Sequence, residues 1–300
     1  MFLDVRPTAA APSLPIGLSY VAVDGRGTGY VTVDDGPYEA APGGILIVPN
    51  LLEPGGADLE GSVVITGPAT NLVDPKDIVT IATPAGETWL AVADFGSAAV
   101  HVFDGAARGD AAPLFSLPRG ITSGAEASVW GLHYDVGRDR LFVSTTDGFI
   151  LVYDAFVDRR GAAGPDRFIE PTLAGAPASA NLHGISHHAD SDTLIVTDVG
   201  TQTTPEHGPD FARNGALLVI ADAGAADGPT PVRARIAGHA TLLGNPLDVL
   251  LGADGSVYVA EGANQLVLRF AAVLASVGAI DMPPDGAIGV AAPESLVTPP

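Results

Sequence analysis

The stretch PLDVLLGADGSVYVAEGANQLVLRF, from Pro246 to Phe270, contains three short apolar segments separated by two turn signals. Asp254-Gly255 is typical of a tight hairpin, and the residues from Gly262 to Asn264 form a second turn signal. The apolar segments have the length and the β-branched content of strands. They are Val249–Leu251, Val257–Ala260 and Leu266–Phe270. The stretch therefore predicts three consecutive strands.

The pattern of this stretch recurs along the chain with a period of about 55 residues. The clearest copies are Trp130–Leu141 and His183–Leu194, which align without a gap. Each repeat of about 55 residues has four strand-like segments, and a four-stranded unit cannot bury its own faces alone. The repeats predict an all-β fold, a β-propeller that forms a single domain over residues 1–300. Five four-stranded repeats are visible, at residues 15–68, 74–118, 128–172, 181–238 and 245–300, and six blades are the alternative.

The last strand of the fifth repeat is expected at Glu294–Thr298. Two tails, Met1–Ser13 and the proline-rich Pro283–Pro300, are expected to seal the edge of the ring.

The composition limits the kinds of partner. The net charge is −21 and Lys76 is the only lysine, so a phosphate backbone would be repelled and nucleic acid is not expected as a partner. The mean hydropathy is +0.30, yet no apolar run approaches the roughly 18 residues that a membrane helix needs, so no membrane span is expected. Cysteine is absent, which excludes disulfides and thiolate metal sites.

The compartment stays open at this stage. The residues from Met1 to Asp4 show neither a basic n-region nor an apolar h-region, so no signal peptide is expected. The acidic, lysine-poor composition fits a salty or extracellular setting, and it also fits a GC-rich genome. If a leader has been removed, an extracellular or periplasmic location is expected.

The fifth repeat carries a family resemblance in the phrases Pro-x-Asp-apolar, Asp-Gly-x-Val-Tyr-Val-Ala-Glu and Asn-Gln-Leu-Val-Leu-Arg-Phe, between Pro246 and Phe270. It resembles an NHL-repeat blade and, more loosely, is similar to the gluconolactonase-like and strictosidine-synthase-like propellers. The resemblance spans roughly residues 15–298. It implies a propeller with a ligand-bearing funnel face, at which the innermost strands start and the loops between second and third strands return. It implies no single activity.

Residues that recur in every repeat indicate architecture, and residues that break the repeat are candidates for function. Four repeats end their second strand with a carboxylate, namely Asp34, Asp94, Asp198 and Glu261. These carboxylates are expected to accept hydrogen bonds from the amides of the following turn.

Two carboxylates break the repeat at the start of the inner strand. Asp77 and Asp248 stand where the other repeats are aligned with glycine, at Gly17, Gly131 and Gly184. Together with Asn181 and Asn245 they could supply hard oxygen ligands to Ca²⁺ or another divalent cation on the axis. The alternative is that each aspartate caps its own loop.

His183 is a second repeat-breaker, because the aligned residues elsewhere are Trp130, Lys76, Leu247 and Ile16. Leu182-His183-Gly184-Ile185 resembles the strand start that carries a zinc-binding histidine in the peptidylglycine amidating lyase propeller. No other repeat has a histidine at this place, which counts against a zinc site. Trp130 could stack on a sugar or another ring, and packing against a neighbouring blade is the alternative.

The segment from Gly200 to Asn214 is longer than the corresponding loops and should overhang the same face as His183. Its side chains Glu206, His207, Asp210 and Arg213 could approach His183 and form an acid–base or metal-binding group. The alternative is a solvated loop.

Two main functions follow. The first is a binding module that presents the funnel face and the 200–214 loop to a small molecule, glycan or protein. Its ligand-binding candidates are Trp130, His183, Asp210 and Arg213. The second is a metal-dependent hydrolase or lyase of the lactonase-like kind, with the divalent cation held by Asp77, Asp248, Asn181 or Asn245. The chain shows no known catalytic motif, so His183, His207 and Glu206 are the catalytic candidates. A structural scaffold without a ligand is the third option.

Overall fold

The computed structural model describes residues 17–34, 43–52, 60–117, 127–160, 164–201 and 211–298. Within these ranges the chain forms 23 β-strands, several single turns of 3-10 helix and one short helix, α1 (Phe156–Arg159). The strands form five separate sheets, each built around four antiparallel strands. The predicted all-β fold is therefore confirmed as a five-bladed β-propeller.

Each blade uses consecutive strands, numbered from the axis outwards. Blade 1 contains β1 (Leu18–Val23), β2 (Gly29–Val33), β3 (Gly44–Val48) and β4 (Val63–Thr66). Blade 2 contains β5 (Pro75–Ala82), β6 (Thr88–Asp94), β7 (Ala99–Asp104) and β8 (Phe115–Leu117). Blade 3 contains β9 (Val129–Asp135), β10 (Arg140–Thr145), β11 (Ile150–Asp154) and β12 (Arg167–Leu173), with β13 (Ala176–Pro177) added beside β12.

Blade 4 contains β14 (Leu182–His188), β15 (Thr193–Asp198), β16 (Ala216–Ile220) and β18 (Ala234–Ala237). Blade 5 contains β19 (Pro246–Leu251), β20 (Val257–Glu261), β21 (Leu266–Phe270) and β23 (Gly286–Gly289). Two further strands, β17 (Gly228–Pro231) and β22 (Gly278–Ile280), leave their own blade and pair with the preceding one.

This pairing between blades covers several outer strands. The connection between the third and fourth strands of blade 4 supplies β17, which pairs in parallel with β12. Blade 5 supplies β22 in the same way, and β22 pairs in parallel with β18. A single parallel bridge from Gly109 of blade 2 to Ile65 of blade 1 repeats the arrangement. Because an uncovered edge invites pairing with other chains, each connection protects the blade before it.

Apolar side chains join neighbouring blades. Buried clusters fill the interfaces between blades 1 and 2, 2 and 3, 3 and 4, and 4 and 5. Among the described residues, the remaining cluster draws its members from blade 1 and the turn after β3. The junction between blades 5 and 1 is therefore built differently from the other four.

The segment Glu294–Thr298 lies at that junction, and its predicted role as the outer strand of blade 5 is wrong. The outer strand is β23, which pairs with β21. The Leu296 amide donates to Asp248 Oδ2 of blade 5 (2.7 Å), and the Val21 amide of blade 1 donates to Ser295 Oγ (3.2 Å). The segment lies between the inner strands of blades 5 and 1, so it cannot also form the outer strand of blade 5.

No helix of the described residues is long and apolar enough to cross a membrane.

Candidate functional site

Every inner strand carries a register irregularity close to its start. A β-bulge adds one residue to a strand and re-aims the side chains next to it. The pairing of each inner strand with its neighbour shows which residues are equivalent at the bulge. They are Tyr20, Asp77, Gly131, Gly184 and Asp248, in blade order. We call these five residues the bulge ring.

The bulge ring corrects the sequence alignment of the first repeat. Gly17 was aligned with Asp77 and Asp248, but Val21 pairs with Val31 as Ile78 pairs with Val92, so Tyr20 occupies the equivalent place. The irregular pairing between Leu18 and Val21 shifts the strand relative to a simple sequence count.

Hydroxyl groups on the second strand satisfy the bulge in three blades. The Tyr20 amide donates to Thr32 Oγ1 (2.8 Å), and the Gly131 amide donates to Ser144 Oγ (2.8 Å). In blade 4 the Thr197 hydroxyl instead donates to the Gly184 carbonyl (3.4 Å). Blades 2 and 5 have alanine at the corresponding place, Ala93 and Ala260, so their second strands offer no hydroxyl to the bulge.

In blades 2 and 5 the bulge residue is an aspartate, whose carboxylate binds other amides. Asp77 Oδ1 accepts from the Ile78 amide and Oδ2 from the Leu132 amide of blade 3, both at 2.7 Å. Asp248 Oδ1 accepts from the Val249 amide and Oδ2 from the Leu296 amide, also both at 2.7 Å. Each aspartate therefore caps its own strand and ties it to the next segment around the ring.

The two glycines of the bulge ring allow close approach between blades. A Cβ atom on Gly131 would collide with the His183 carbonyl oxygen, and one on Gly184 would lie 2.5 Å from Asp248 Cα. Glycine at these places lets the inner strands come together near the axis.

The carboxyl groups of Asp77 and Asp248 interact with each other across the axis. Burial raises the pKa of Asp248 to about 7. Burial, followed by the charge of Asp248, raises the pKa of Asp77 well above its usual value. Because one charge disfavours the other in a site with little water, the pair retains a proton near neutral pH.

The funnel end of the axis is filled by aromatic side chains. The Trp130 ring stacks on the His183 ring, and Trp130 Nε1 donates to the Tyr20 hydroxyl (2.9 Å). The Tyr20 hydroxyl donates in turn to the Leu247 carbonyl (2.9 Å), and Lys76 Nζ lies 5.4 Å from the centre of the Trp130 ring. Trp130 thus packs against neighbouring blades, and its role in ligand binding stays a prediction.

His183 is neutral in this environment. Burial, followed by the charge of Lys76, lowers the pKa of His183 to about 3. Its Nδ1 atom is buried and has no hydrogen-bond partner among the described residues. Lys76 itself is bound by Asp34 and Asp74, each at 2.7 Å.

A cavity of about 420 Å³ lies on the other side of the bulge ring. All five inner strands and the segment Ser295–Thr298 line it, and Asp77 and Asp248 are among its wall residues. The wall includes aliphatic side chains such as Leu250 and the imidazole-bearing residues His133 and His187. The cavity thus combines apolar walls with a few polar groups, as small-molecule sites do.

The histidines of the cavity wall are also neutral. Burial, followed by the charge of His187, lowers the pKa of His133 to about 4. Burial lowers the pKa of His187, although Asp192 holds its Nε2 atom at 3.0 Å. The two rings meet edge to face with their centres 6.0 Å apart.

The other predicted site residues lie at the funnel face or outside the described residues. Asn181 and Asn245 each precede an inner strand, and the side-chain oxygen of each is buried without a hydrogen-bond partner in the described structure. Arg213 is exposed at the end of a 3-10 turn, Phe211–Arg213. Glu206, His207 and Asp210 lie outside the described residues, so their approach to His183 stays a prediction.

Metal binding stays a prediction as well. In the described parts of the chain, no group of three or more His, Cys, Asp or Glu side chains is placed to hold a metal ion.

Of the four carboxylates that end second strands, three accept hydrogen bonds from turn amides, as predicted. Asp94 accepts from the Val73 and Ser97 amides, both at 2.7 Å. Asp198 accepts from the Asn181 and Gly200 amides at 3.0 and 2.9 Å.

Glu261 accepts from the Gly244 amide at 2.9 Å and from the Asn264 amide at 2.6 Å. It thus closes the turn of blade 5 as Asp94 and Asp198 close theirs. These residues are architectural.

The comparisons with known proteins agree with the fold. The chain is similar to a solved structure titled "Streptogramin B lyase structure", with a TM-score of 0.50 and 10% sequence identity over 92% of this chain and 72% of that one. At this identity the likeness concerns the fold alone. No family model matches the chain, and no curated protein matches its sequence.

Proposed function

We propose that this propeller is a binding module for small organic molecules, and that its site is the central cavity beyond the bulge ring. The observation that carries the proposal is a cavity of about 420 Å³ lined by all five blades. Its volume falls within the range of about 300–1,000 Å³ that is common for small-molecule sites. We also propose that the five repeats are NHL-like blades, as the resemblance of the fifth repeat suggests.

The side chains at the funnel end leave less room for a ligand than the cavity does. Trp130 and His183 were candidates for ligand contact, but they stack on each other with ring centres 3.6 Å apart. A ligand ring would have to displace one of them. The cavity offers room without such a rearrangement.

The proposal is tested with a mixed library of neutral, anionic and cationic aromatic fragments. Binding is measured by ligand-observed NMR and by the shift in melting temperature. Leu250 lines the cavity, so Leu250→Trp should fill it and abolish binding. Val136 is 74% exposed, so Val136→Trp is the matched control that should leave binding intact. If no fragment bound, or if Leu250→Trp bound as well as the parent, the cavity would not be the site.

A metal-dependent hydrolase or lyase is the second candidate. It is favoured by the convergence of Asp77 and Asp248, whose carboxyl groups both line the cavity and interact with each other. Buried carboxylates are hard oxygen ligands that suit Ca²⁺. This candidate requires that Ca²⁺ raises the melting temperature, that a chelator reverses the effect, and that Asp77→Asn removes it. A melting temperature that is insensitive to Ca²⁺ and chelator would reject it.

A further inference from the structure

The inner end of the cavity is acidic. Asp77 and Asp248 are only 9% and 7% exposed, yet both contribute to the cavity wall. Each carboxylate accepts two backbone amides, and Asp248 also accepts the Ser295 hydroxyl, while a carboxylate has about four acceptor positions. Acceptor capacity therefore remains on both groups.

No cationic side chain of the described structure compensates these carboxyl groups within the cavity. The wall residues include neither lysine nor arginine. The imidazoles of His133 and His187 have lowered pKa values, so they carry no charge at neutral pH. The hydroxyl of Tyr20, which faces the pair from blade 1, has a raised pKa and is also neutral.

The nearest charged side chains outside the wall are committed to partners of their own. Lys76 is bound by Asp34 and Asp74. Glu294 accepts from the Ser19 hydroxyl at 3.1 Å, and burial raises its pKa. Neither of them neutralises the carboxyl pair by a direct contact.

The rest of the cavity is apolar enough to hold a hydrocarbon group. Its wall contains valine and leucine residues from four blades, including Val23, Val79 and Leu250. An acidic end combined with aliphatic walls matches a molecule with one cationic group and one apolar group. The chain as a whole has a net charge of −21, which attracts cations and repels anions over longer distances.

We infer that the ligand of this cavity is a small organic cation, a protonated amine with an apolar body, whose ammonium group is bound by Asp77 and Asp248. This inference rests on the proposed function and narrows it to one chemical class. The ammonium group would donate hydrogen bonds to the free acceptor positions of the two carboxylates. Its charge would replace the proton that the pair otherwise retains.

Three molecules of equal shape separate the alternatives: benzylamine, benzyl alcohol and benzoate. Their affinities are measured by calorimetry with the full chain. We expect benzylamine to bind at least about tenfold more tightly than benzyl alcohol, and benzoate to bind most weakly. In Asp248→Asn the advantage of benzylamine should fall about tenfold while the affinity for benzyl alcohol stays the same, which also shows that the cavity is intact. The exposed Asp190→Asn is the control of equal charge change.

A measurement on the unmodified protein keeps the test independent of any folding defect. Benzylamine remains protonated throughout, so its affinity should rise by up to about tenfold between about pH 6 and about pH 8 as the carboxyl pair loses its proton. The affinity for benzyl alcohol should stay flat over the same range. Proton release on binding should appear as a dependence of the heat on the buffer.

The possible failures are distinct. If the three molecules bind alike, or if benzyl alcohol or benzoate is preferred, the cationic class is wrong while the cavity remains a binding site. If the advantage of benzylamine persists in the Asp77→Asn, Asp248→Asn double variant, the ammonium group binds elsewhere and the inference is wrong. If no fragment of the library binds, the proposed function falls together with the inference.

Discussion

The indole ring of Trp130 lies almost flat on the imidazole of His183, with 3.6 Å between ring centres and 12° between ring planes. The two residues are equivalent positions in adjacent blades, one residue before the bulge ring. Trp130 also donates to the Tyr20 hydroxyl, so the contact joins blades 1, 3 and 4 at the axis. Packing between blades therefore holds these side chains in place at the funnel end of the axis.

Replacing His183 distinguishes packing from a polar role. His183→Ala removes the stacked partner and should lower the free energy of unfolding by about 2 kcal/mol. His183→Phe should be as stable as the parent or more stable, because the buried Nδ1 atom has no hydrogen bond to lose. Urea unfolding measures both variants. If His183→Phe were as damaging as His183→Ala, the imidazole nitrogens would have a partner that packing does not provide.

The architecture could be predicted from the sequence because its main signals recur along the chain. Strand-like apolar segments recur in every repeat, and four of the five repeats end the second strand with a carboxylate, as at Asp94 and Asp198. Their hydrogen bonds are local, so each repeat specifies its own blade.

The axis could not be predicted in the same way because its geometry depends on contacts between blades. A bulge shifts Tyr20 into the place that a sequence count gives to Gly17, and no local pattern marks that shift. One signal was present: blades with alanine at Ala93 and Ala260 carry aspartate at the bulge, while blades with Thr32, Ser144 or Thr197 do not. Each blade therefore has either a hydroxyl on the second strand or a carboxylate at the bulge residue.

The carboxyl pair gives stability a specific pH dependence above neutrality. The pKa of Asp248 is raised to about 7, and that of Asp77 is raised further by burial and by the charge of Asp248. The folded protein thus binds these protons more tightly than the unfolded chain, so stability is present at lower pH and is lost as pH rises through the folded pKa values. Between about pH 6.5 and about pH 8 the loss should be about 1–3 kcal/mol.

The histidines, whose lowered pKa values give the opposite slope, still contribute up to about pH 7.5 because the unfolded chain binds their protons with a pKa of about 6.5, and a comparison with a variant of the carboxyl pair cancels that contribution. Asp248→Asn should be less stable than the parent at about pH 6, because one buried amide loses its acceptor, and it should flatten the slope above about pH 6.5. Chemical unfolding at several pH values measures both effects. An unchanged slope in Asp248→Asn would show that the pair does not titrate in this range.

The glycines of the bulge ring should tolerate no side chain. A Cβ atom at Gly131 or Gly184 would meet backbone atoms of the next blade, which cannot rotate away. Gly131→Ala and Gly184→Ala should each lower the free energy of unfolding by at least about 3 kcal/mol. Gly25→Ala is the control, since a Cβ there meets nothing within 4 Å. Equal stability of Gly131→Ala and Gly25→Ala would mean that the inner strands lie further apart than described.

The C-terminal segment should decide whether the ring stays closed. Every described blade takes its four main strands from one continuous stretch, so no strand exchange locks blade 5 to blade 1. Besides the bond from the Tyr20 hydroxyl to the Leu247 carbonyl, the segment supplies links: Leu296 binds Asp248, Ser295 accepts from Val21, and Glu294 accepts from the Ser19 hydroxyl (3.1 Å). Removal of the segment would take one hydrogen-bond donor from the Asp248 carboxylate and the acceptor from the Val21 amide.

Truncation after residue 290 should therefore lower the melting temperature by roughly 5–10 °C or more, because it removes several partly buried hydrogen bonds at a junction where the described residues form no shared apolar cluster. Truncation after residue 298 keeps the segment and serves as the control. The substitution Ser295→Ala should cost about 1 kcal/mol by removing the acceptor of the Val21 amide. If the protein truncated after residue 290 had the same melting temperature as the control, contacts outside this segment would be sufficient to hold blades 5 and 1 together.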